Sequence, residues 1–245
     1  MDDRQPVISR ALHQAKMLVH RAGFDVSRDT FKHRFVYQVL QHGIDTVLDI
    51  GANGGQFGTL LRQSKFTGQI HSVEPLQSAY NVLTATAAGD ARWSVQRAAV
   101  SAEPGTLTMN VSSNSVSSSV LPMLDRHATA APSAQYVTTE DVVATTVDEI
   151  VTTAGLEPER TLLKIDVQGY ERAVLDGAAK TLAAFRGVRT EMSLVPLYEG
   201  QALMPEIMNV LAEHGFELWF IDPGFTEPGT RRLLQLDGVF FRTGQ

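Results

Sequence analysis

Hydrophobic residues recur at helical spacing near the start of the chain, and short strand-like runs alternate with helical patterns after them. The spacing predicts two leading helices, one from Val7 to Ala22 and one from Phe31 to Leu40. Runs rich in aliphatic and β-branched residues predict strands over Thr46–Ile50, Ile70–Glu74, Trp93–Gln96, Thr106–Val111, Thr161–Asp166, Val188–Leu194, Phe216–Ile221 and Gly238–Arg242. Helical patterns between them cover Gly55–Leu61, Leu76–Ala87, Tyr170–Ala184 and Met204–His214, and a capping box over Thr146–Glu149 starts another helix.

Strands that alternate with helices at this spacing are typical of an α/β fold built on a largely parallel sheet. The chain has 245 residues, of which 43% are hydrophobic, enough to bury one sizeable core. The sequence has no internal repeat and no obvious linker between two domains. We therefore predict a helical extension over residues 1–43 and one domain over residues 44–245, with a Rossmann-like sheet of seven mostly parallel strands flanked by helices.

The composition narrows the classes of function. The chain lacks cysteine, which excludes disulfide frameworks, thiolate zinc sites, iron–sulfur clusters and a cysteine nucleophile. A net charge of −6 disfavours binding to nucleic acid or anionic lipid through a large basic surface, so we expect a small-molecule or saccharide partner. No apolar run approaches the about 20 residues that cross a bilayer, and the acidic start has no signal-peptide core. We expect a cytoplasmic protein without a transmembrane segment. The sequence is compatible with a homo-oligomer.

The first candidate site is the run Asp49 to Gly55, DIGANGG, which leaves a predicted strand and enters a predicted helix. Glycines there allow a tight turn and a close approach of a ligand, and the helix start offers free N–H groups. Glu74, at the end of the second predicted strand, is placed to accept hydrogen bonds from both hydroxyls of a ribose. A dinucleotide fingerprint would have a glycine where Asn53 stands, and the Lys-Ser or Lys-Thr pair of a phosphate-binding loop is absent. The spacing indicates a nucleoside site, and a tight turn without a ligand is the alternative.

The run VLDIGANGG over Val47–Gly55 resembles motif I of class I methyltransferases that use S-adenosylmethionine (SAM), and more narrowly the FkbM family of O-methyltransferases. A second hallmark of that family is LKIDVQGYE over Leu163–Glu171, followed by VLDGA over Val174–Ala178. Supporting pieces are Ser72–Pro75, Ala98–Ser101, Asn114 with Ser118 and Ser119, Thr146–Glu149 and Pro196–Gln201. The similarity covers residues 44–242. Because Gln168 stands where many members have Glu, the chain resembles a branch with a KIDxQG-type motif.

The resemblance implies a class I methyltransferase fold with SAM as the cofactor. It places the amino-acid end of SAM near the glycine loop, the ribose at the acid after the second strand, and the adenine after the third strand. The residues so implied are Asp49, Gly51, Asn53 and Gly55 for the amino-acid end, Glu74 for the ribose, and Ala98 and Ala99 for the adenine.

Methyl transfer to a hydroxyl needs alignment and removal of the hydroxyl proton, by a base or by a metal ion that acidifies the hydroxyl. Asp166 and Glu191 fall at or near the carboxyl ends of adjacent predicted strands. One of them is a candidate base, or both together bind a divalent cation such as Mg²⁺. Alternatively, Asp166 caps the following helix. Glu191 would then pair with an arginine, Arg189 or Arg231. His127, after a serine-rich run, is a further candidate base, with a solvated surface role as its alternative.

Candidate substrate contacts follow the predicted strands that carry these acids, and they are Gln168, Tyr198, Glu199 and Gln201. Their acid, amide and aromatic groups suit the face and the hydroxyls of a sugar. Gln168 serves equally well as a cap at the start of a helix, and the other three also suit an ordinary polar loop. The stretches Ser112–Ser119 and Leu121–Tyr136 are predicted as a long polar insertion, either a lid or acceptor-binding segment or a solvated loop.

The resemblance and the residue chemistry together favour a SAM-dependent O-methyltransferase. Its acceptor would be a hydroxyl of a sugar, a polysaccharide or a glycosylated natural product, in bacterial cell-envelope or secondary metabolism. Two alternatives stay open: an NAD-linked oxidoreductase on a similar sheet, and a non-catalytic scaffold that binds a nucleoside.

Overall fold

The computed structural model describes residues 31–242. The chain divides into two compact units, residues 1–35 and 36–245. The predicted helix from Val7 to Ala22 lies outside the described residues, and the predicted domain boundary after residue 43 stays a prediction. The sheet and the candidate site belong to the second unit.

Helices and strands alternate through the described residues. The α-helices are α1 (Phe31–Gln41), α2 (Gln56–Gln63), α3 (Gln77–Ala87), α4 (Asp125–Ala130), α5 (Val147–Ala154), α6 (Glu171–Asp176) and α7 (Met204–Glu213). The strands are β1 (Thr46–Ile50), β2 (Gln69–Val73), β3 (Trp93–Gln96), β4 (Ala99–Val100), β5 (Gly105–Ser112), β6 (Tyr136–Thr145), β7 (Thr161–Ile165), β8 (Gly187–Ser193), β9 (Phe216–Pro223) and β10 (Gln235–Arg242). Short 3₁₀ helices cover Pro132–Ala134, Pro158–Arg160 and Leu182–Ala184. None of the helices within residues 31–242 has the length and apolar character needed to cross a membrane.

Seven strands form one sheet in the order β3-β2-β1-β7-β8-β10-β9. The first five of these run parallel, whereas β10 is antiparallel to both β8 and β9. From β1 the chain adds β2 and β3 towards one edge of the sheet, and from β7 it adds the later strands towards the other edge. The direction in which strands are added therefore reverses between β1 and β7. This confirms the predicted Rossmann-like sheet of seven mostly parallel strands, and it places a crevice at the carboxyl ends of β1 and β7.

The two central strands are apolar because both faces of a largely parallel sheet are covered. All residues of β7 are buried, and β1 is buried from its second residue onwards. Leu48 and Leu163 belong to the main core on these strands. Each strand also carries one charged residue, and Asp49 and Lys164 face each other in register. Their charges must therefore be balanced inside the sheet.

A second sheet contains three strands in the order β4-β6-β5. The sequence pattern does not predict β6, because the run Thr138–Asp141 is polar and, along the strand, only Val142 and Ala144 are buried. Strand β5 lies antiparallel to β6, and Met109 and Val142 of this pair belong to a small core. The hairpin stands beside the carboxyl end of the main sheet and forms part of the wall of the crevice.

Two predicted segments are corrected by the structure. The helix predicted from Tyr170 to Ala184 ends at Asp176 as α6, and the chain continues in turns. A Cβ atom at Gly177 would lie 2.1 Å from the backbone oxygen of Ser101, so this close approach requires glycine. The stretch Leu121–Tyr136, predicted as polar insertion, contains the short helix α4 and packs apolar side chains against a small core.

Candidate active site

A cavity of about 320 Å³ opens at the carboxyl ends of β1, β2 and β7. It lies at the point where the strand order reverses, which is where open α/β sheets bind ligands. Gly51, Asn53 and Glu74 line it from the first two strands, and Asp166 and Gln168 line it from β7. The cavity therefore brings together residues from both halves of the sheet.

The glycine loop after β1 is drawn tightly against the end of β7. Gly51 has a φ of 73°, and a Cβ atom there would lie 1.8 Å from the backbone oxygen of Asp166. Asn53 is also left-handed, with a φ of 45°, and its Oδ1 accepts a hydrogen bond of 2.7 Å from the Gly54 N–H. Glycine and asparagine adopt left-handed angles more readily than other residues, so the shape of the loop follows from its sequence.

Glu74 fastens the glycine loop to the end of β2. Its side chain is buried, with 4% of the residue exposed, and it lines the cavity. Oε2 accepts a hydrogen bond of 2.8 Å from the Asn53 N–H, and Oε1 accepts one of 3.0 Å from the Leu76 N–H. Burial raises the pKa of Glu74 to about 7, although the two backbone donors act in the opposite direction. Each oxygen keeps a second lone pair for a ligand hydroxyl.

The other predicted cofactor residues divide into two groups. Ala98 and Ala99 line the cavity, where they form an apolar wall. Gly55 does not line it: it is the N-cap of α2 with a φ of 89°, and a Cβ atom there would lie 3.3 Å from the ring of Trp93. Asp49 does not line it either, because it is fully buried inside the sheet. Gly55 and Asp49 therefore support the glycine loop on the side that faces away from the cavity.

Lys164 is a residue of the site that sequence reasoning missed. It is 5% exposed and lines the cavity. Its Nζ lies 3.0 Å from Oδ1 of Asp49 and 3.6 Å from Oδ2 of Asp166, and it donates a 3.1 Å hydrogen bond to the backbone oxygen of Gly51. Burial alone would lower the pKa of Lys164, but the two carboxylates outweigh it and raise the pKa. The signal in the sequence was a lone lysine within the apolar run of a central strand.

An amide connects the two predicted catalytic acids. Nε2 of Gln168 donates hydrogen bonds of 2.9 Å to Oδ1 of Asp166 and 3.0 Å to Oε2 of Glu191. Oε1 of Gln168 accepts a hydrogen bond of 2.8 Å from the hydroxyl of Tyr198. Nε2 of Gln235 donates a further hydrogen bond of 2.8 Å to Oε2 of Glu191. We call these five side chains the acid–amide network.

The predicted metal pair of Asp166 and Glu191 does not have the arrangement of a cation site. The atom between the two carboxylates is an amide nitrogen, which donates hydrogen bonds and does not coordinate Mg²⁺ as oxygen atoms do. Among residues 31–242 no group of three or more His, Cys, Asp or Glu side chains is placed to hold a metal ion. The residues present therefore do not fit the divalent cation that was expected there.

Asp166 and Glu191 differ in their surroundings. The Asp166 side chain is 38% exposed and lines the cavity, whereas Glu191 is absent from the cavity lining. Burial, and then the charge of Asp166, raises the pKa of Glu191 well above its ordinary value. The arginine pairing considered for Glu191 is replaced by its two amide donors, and Arg189 instead donates to Oδ2 of Asp237 at 2.9 Å. Only Asp166 of the two acids is open to a ligand in the cavity.

His127 does not reach the cavity. It lies in α4 with 3% of its surface exposed, and its ring centroid is 5.0 Å from that of Tyr198 and 5.4 Å from that of Phe225. Burial among these apolar rings lowers the pKa of His127. The structure thus corrects both interpretations, the base that contacts substrate and the solvated surface residue. His127 instead packs against Tyr198, a member of the acid–amide network.

The loop after β8 also stands behind the cavity. Tyr198 is fully buried and meets the cavity only through Gln168. Oε1 of Gln201 accepts hydrogen bonds of 2.6 Å and 2.5 Å from the N–H groups of Leu197 and Tyr198. Glu199 is exposed, and neither it nor Gln201 lines the cavity. Of the four predicted substrate residues, only Gln168 lies at the cavity itself.

The serine-rich loop forms the remaining wall. Ser115, Val116 and Ser118 line the cavity. Asn53 Nδ2 donates a 3.2 Å hydrogen bond to Oγ of Ser115, and Oγ of Ser119 donates one of 2.7 Å to the backbone oxygen of Gln168. The loop therefore contacts the glycine loop on one side and the loop after β7 on the other.

A comparison with protein families identifies the type of domain. A sequence profile described as the methyltransferase FkbM domain matches residues 49–218, well over half of the chain. No protein among the curated sequences matches significantly. The chain resembles the crystal structure of magnesium protoporphyrin IX methyltransferase from Synechocystis with bound SAM, at 10% identity, 99% coverage of both chains and a TM-score of 0.47. It also resembles a TehB-like SAM-dependent methyltransferase from Corynebacterium glutamicum, at 13% identity, with 98% of this chain and 100% of that chain covered and a TM-score of 0.40. The profile match includes all of the acid–amide network except Gln235.

Proposed function

Since the chain belongs to the family of the methyltransferase FkbM domain, we propose that it transfers a methyl group from SAM to a hydroxyl of a saccharide or a glycosylated natural product. The family establishes a methyltransferase. The oxygen acceptor, its saccharide nature and a place in cell-envelope or secondary metabolite biosynthesis are the proposal. The observation that carries it is the carboxylate of Asp166 at the carboxyl end of β7. It is the most exposed of the three carboxylates that line the cavity, since Asp237 is held by Arg189 and Glu74 is buried.

The residues present fit SAM as the cofactor. A volume of about 320 Å³ falls within the range of small-molecule pockets. Glu74 offers a buried carboxylate for the ribose hydroxyls, and the backbone of Gly51 and Asn53 would meet the amino-acid end. The apolar wall of Ala98 and Ala99 suits the adenine ring. When bound, SAM supplies an activated methyl group, because its sulfonium leaves as a neutral thioether.

Asp166 is the group that removes the proton of the acceptor. An alcohol is a weak nucleophile at neutral pH, so a carboxylate that accepts its proton as the new C–O bond forms speeds the transfer. Gln168 donates a hydrogen bond to Oδ1 of Asp166, and the ammonium group of Lys164 lies beside Oδ2. Part of the Asp166 side chain stays open to the cavity. A hydroxyl that entered the cavity would therefore meet an oriented base.

Other residues that line the cavity support an acceptor rich in hydroxyls. Ser115 accepts a hydrogen bond from Asn53 and retains its own hydroxyl proton for a ligand oxygen. Gln56 and Asn53 add amide groups to the lining of the cavity, and Val116 and Phe57 add apolar surface. A sugar presents both hydroxyls and apolar C–H faces, so this mixed wall suits it.

The proposal is tested by incubating the full-length chain with methyl-labelled SAM and a panel of mono- and oligosaccharides, followed by mass spectrometry of the products. We expect label in a saccharide hydroxyl and formation of S-adenosylhomocysteine. Calorimetric titration with SAM and with NAD in parallel separates the alternatives, since binding of NAD and not SAM would favour an oxidoreductase. SAM binding without transfer to any hydroxyl or other nucleophile would favour a scaffold.

A further inference from the structure

We propose that the side-chain amide of Gln168 takes the place of a divalent cation between Asp166 and Glu191, so that the base is positioned without a metal ion. Gln168 is thereby a positioning residue that acts through Asp166. This role rests on the proposed function, in which Asp166 accepts the proton. The exclusion of a cation from the network does not depend on the identity of the acceptor.

The placement of hydrogen atoms supports this role. The amide nitrogen of Gln168 carries two protons and meets one oxygen from each acid, at 2.9 Å and 3.0 Å. A hard cation in the same position would need oxygen ligands around it. The only oxygen of the Gln168 side chain points the other way, towards the hydroxyl of Tyr198 at 2.8 Å. Reversing the amide would remove both N–H donors from the two acids and would turn the amide nitrogen towards the Tyr198 hydroxyl.

The local backbone fixes the amide in this position. Gln168 has a φ of 54°, a conformation that costs energy for a residue with a side chain and that persists where the surroundings fix it. The Ser119 hydroxyl holds its backbone oxygen at 2.7 Å. The ring of Tyr198 covers the adjacent Gly169, where a Cβ atom would lie 2.8 Å from Cδ2 of the ring. The amide is therefore presented to the acids from a fixed position.

The charges around the two acids are balanced by protein groups. Lys164 Nζ lies 3.6 Å from the second oxygen of Asp166, so that carboxylate already has a cation beside it. Glu191 receives a second amide donor, from Gln235, on the same oxygen that Gln168 contacts. The positive charge that a metal ion would supply is thus provided by Lys164, and amide N–H groups occupy the carboxylate oxygens that would otherwise be its ligands.

A carboxylate at position 168 should create a cation site. Gln168→Glu would bring three acids together at Asp166, position 168 and Glu191, which favours binding of a hard divalent cation. Titration with Mn²⁺, followed by the electron paramagnetic resonance signal of the free ion, measures this directly in the full-length chain. We expect no saturable site in the unmodified protein over the whole Mn²⁺ range, and in Q168E a saturable site with a dissociation constant at least about tenfold below the highest concentration tested. The matched control Q168E/E191Q should lose that gain.

The positioning role needs a separate measurement. Gln168→Met keeps the side-chain length but removes both amide donors, so we expect kcat for the methylated acceptor to fall about tenfold or more with little change in KM. The dissociation constant of S-adenosylhomocysteine should stay within a factor of about two, because Gln168 acts on Asp166. A parallel loss of S-adenosylhomocysteine affinity would mean that Gln168 only supports the cavity, and would overturn the positioning role.

The result that overturns the metal-free site is a saturable Mn²⁺ site in the unmodified protein that Glu191→Gln weakens, or methyl transfer that EDTA abolishes and Mg²⁺ restores. A folded Q168E, with an unchanged near-ultraviolet circular dichroism spectrum, that gains no Mn²⁺ binding overturns it as well. If Q168E does not fold, the unmodified protein and E191Q decide the question. If no saccharide is methylated, the proposed function fails, while the Mn²⁺ titrations still decide whether the network excludes a cation.

Discussion

Lys164 and Asp49 form an ion pair in the middle of the seven-stranded sheet, with 3.0 Å between Nζ and Oδ1. They face each other in register on the neighbouring strands β7 and β1, and both side chains are almost completely buried. Nζ also donates to the backbone oxygen of Gly51. The ion pair therefore connects β1 with β7, and Lys164 also holds the glycine loop in position.

Removing the cation should destabilise the fold strongly. Lys164→Met leaves the carboxylate of Asp49 buried without its partner, and breaking a buried pair in this way costs about 3–5 kcal/mol of unfolding free energy. Urea denaturation measures the change. We expect the double variant D49N/K164M to lose less than the sum of the two single variants, because neither charge is then left alone.

An exposed ion pair provides the control for this measurement. Arg172 pairs with Asp176 at 2.9 Å and with Glu206 at 3.0 Å on the surface. Arg172→Met should lower the unfolding free energy by less than about 1 kcal/mol. Equal losses in K164M and R172M would show that burial of the Lys164 pair contributes nothing extra.

The parts of the site that follow directly from a strand end could be predicted from the sequence. Gly51 and Glu74 each come after a strand, and parallel strands bring their carboxyl ends to one edge of the sheet. Local order along the chain is then enough to place both residues at the cavity. The same reasoning placed Asp166, since it follows the buried run of β7.

The partners of these residues depend on contacts that are distant along the chain. Gln235 reaches Glu191 only because β10 pairs antiparallel with β8, with Asp237 opposite Glu191. Tyr198 and His127 looked like polar residues of surface loops, yet the loop after β8 folds inwards and α4 packs on it. Residue type alone does not reveal which side of a loop becomes buried, so their roles behind the cavity could not be predicted.

Glu74 should control the affinity for the cofactor product. Glu74→Gln replaces one acceptor oxygen by an amide nitrogen, which would face a backbone N–H group and could no longer accept from a ribose hydroxyl. We expect calorimetry to show about tenfold to a hundredfold weaker binding of S-adenosylhomocysteine, since buried hydrogen bonds to charged groups are worth about 1.5–3 kcal/mol. The exposed Glu103→Gln should bind as the unmodified chain does. Unchanged affinity in E74Q would place the ribose elsewhere.

Stability should fall as the pH rises through the range in which Glu171 ionises. Burial raises the pKa of Glu171 from 4.5 to about 7, so the folded state binds its proton more tightly than the unfolded state. The stabilising effect is complete below pH 4.5 and is lost as the pH rises towards 7. Glu171→Gln, which keeps an oxygen for the Val167 and Gly169 N–H groups, should remove up to about 3 kcal/mol of this decline.

Urea titrations at pH 5 and pH 7.5 test the assignment to Glu171. The exposed Glu159→Gln should retain the full decline of the unmodified chain between these two values. An E171Q variant with the same decline would mean that other acids of the site, such as Glu74, account for it.

Asp166 should be needed for transfer and not for cofactor binding. Asp166→Asn keeps the size of the side chain but cannot take up the acceptor proton, so methyl transfer from labelled SAM should fall by about 10²–10⁴-fold. The dissociation constant of S-adenosylhomocysteine should change little, because Glu74 and the glycine loop stay in place. Asp176→Asn, an exposed change at the end of α6, should transfer methyl groups at the unmodified rate. A folded D166N that still methylates at that rate would show that another group accepts the proton. Asp237 would then be the next candidate, because it also lines the cavity and Glu191 does not.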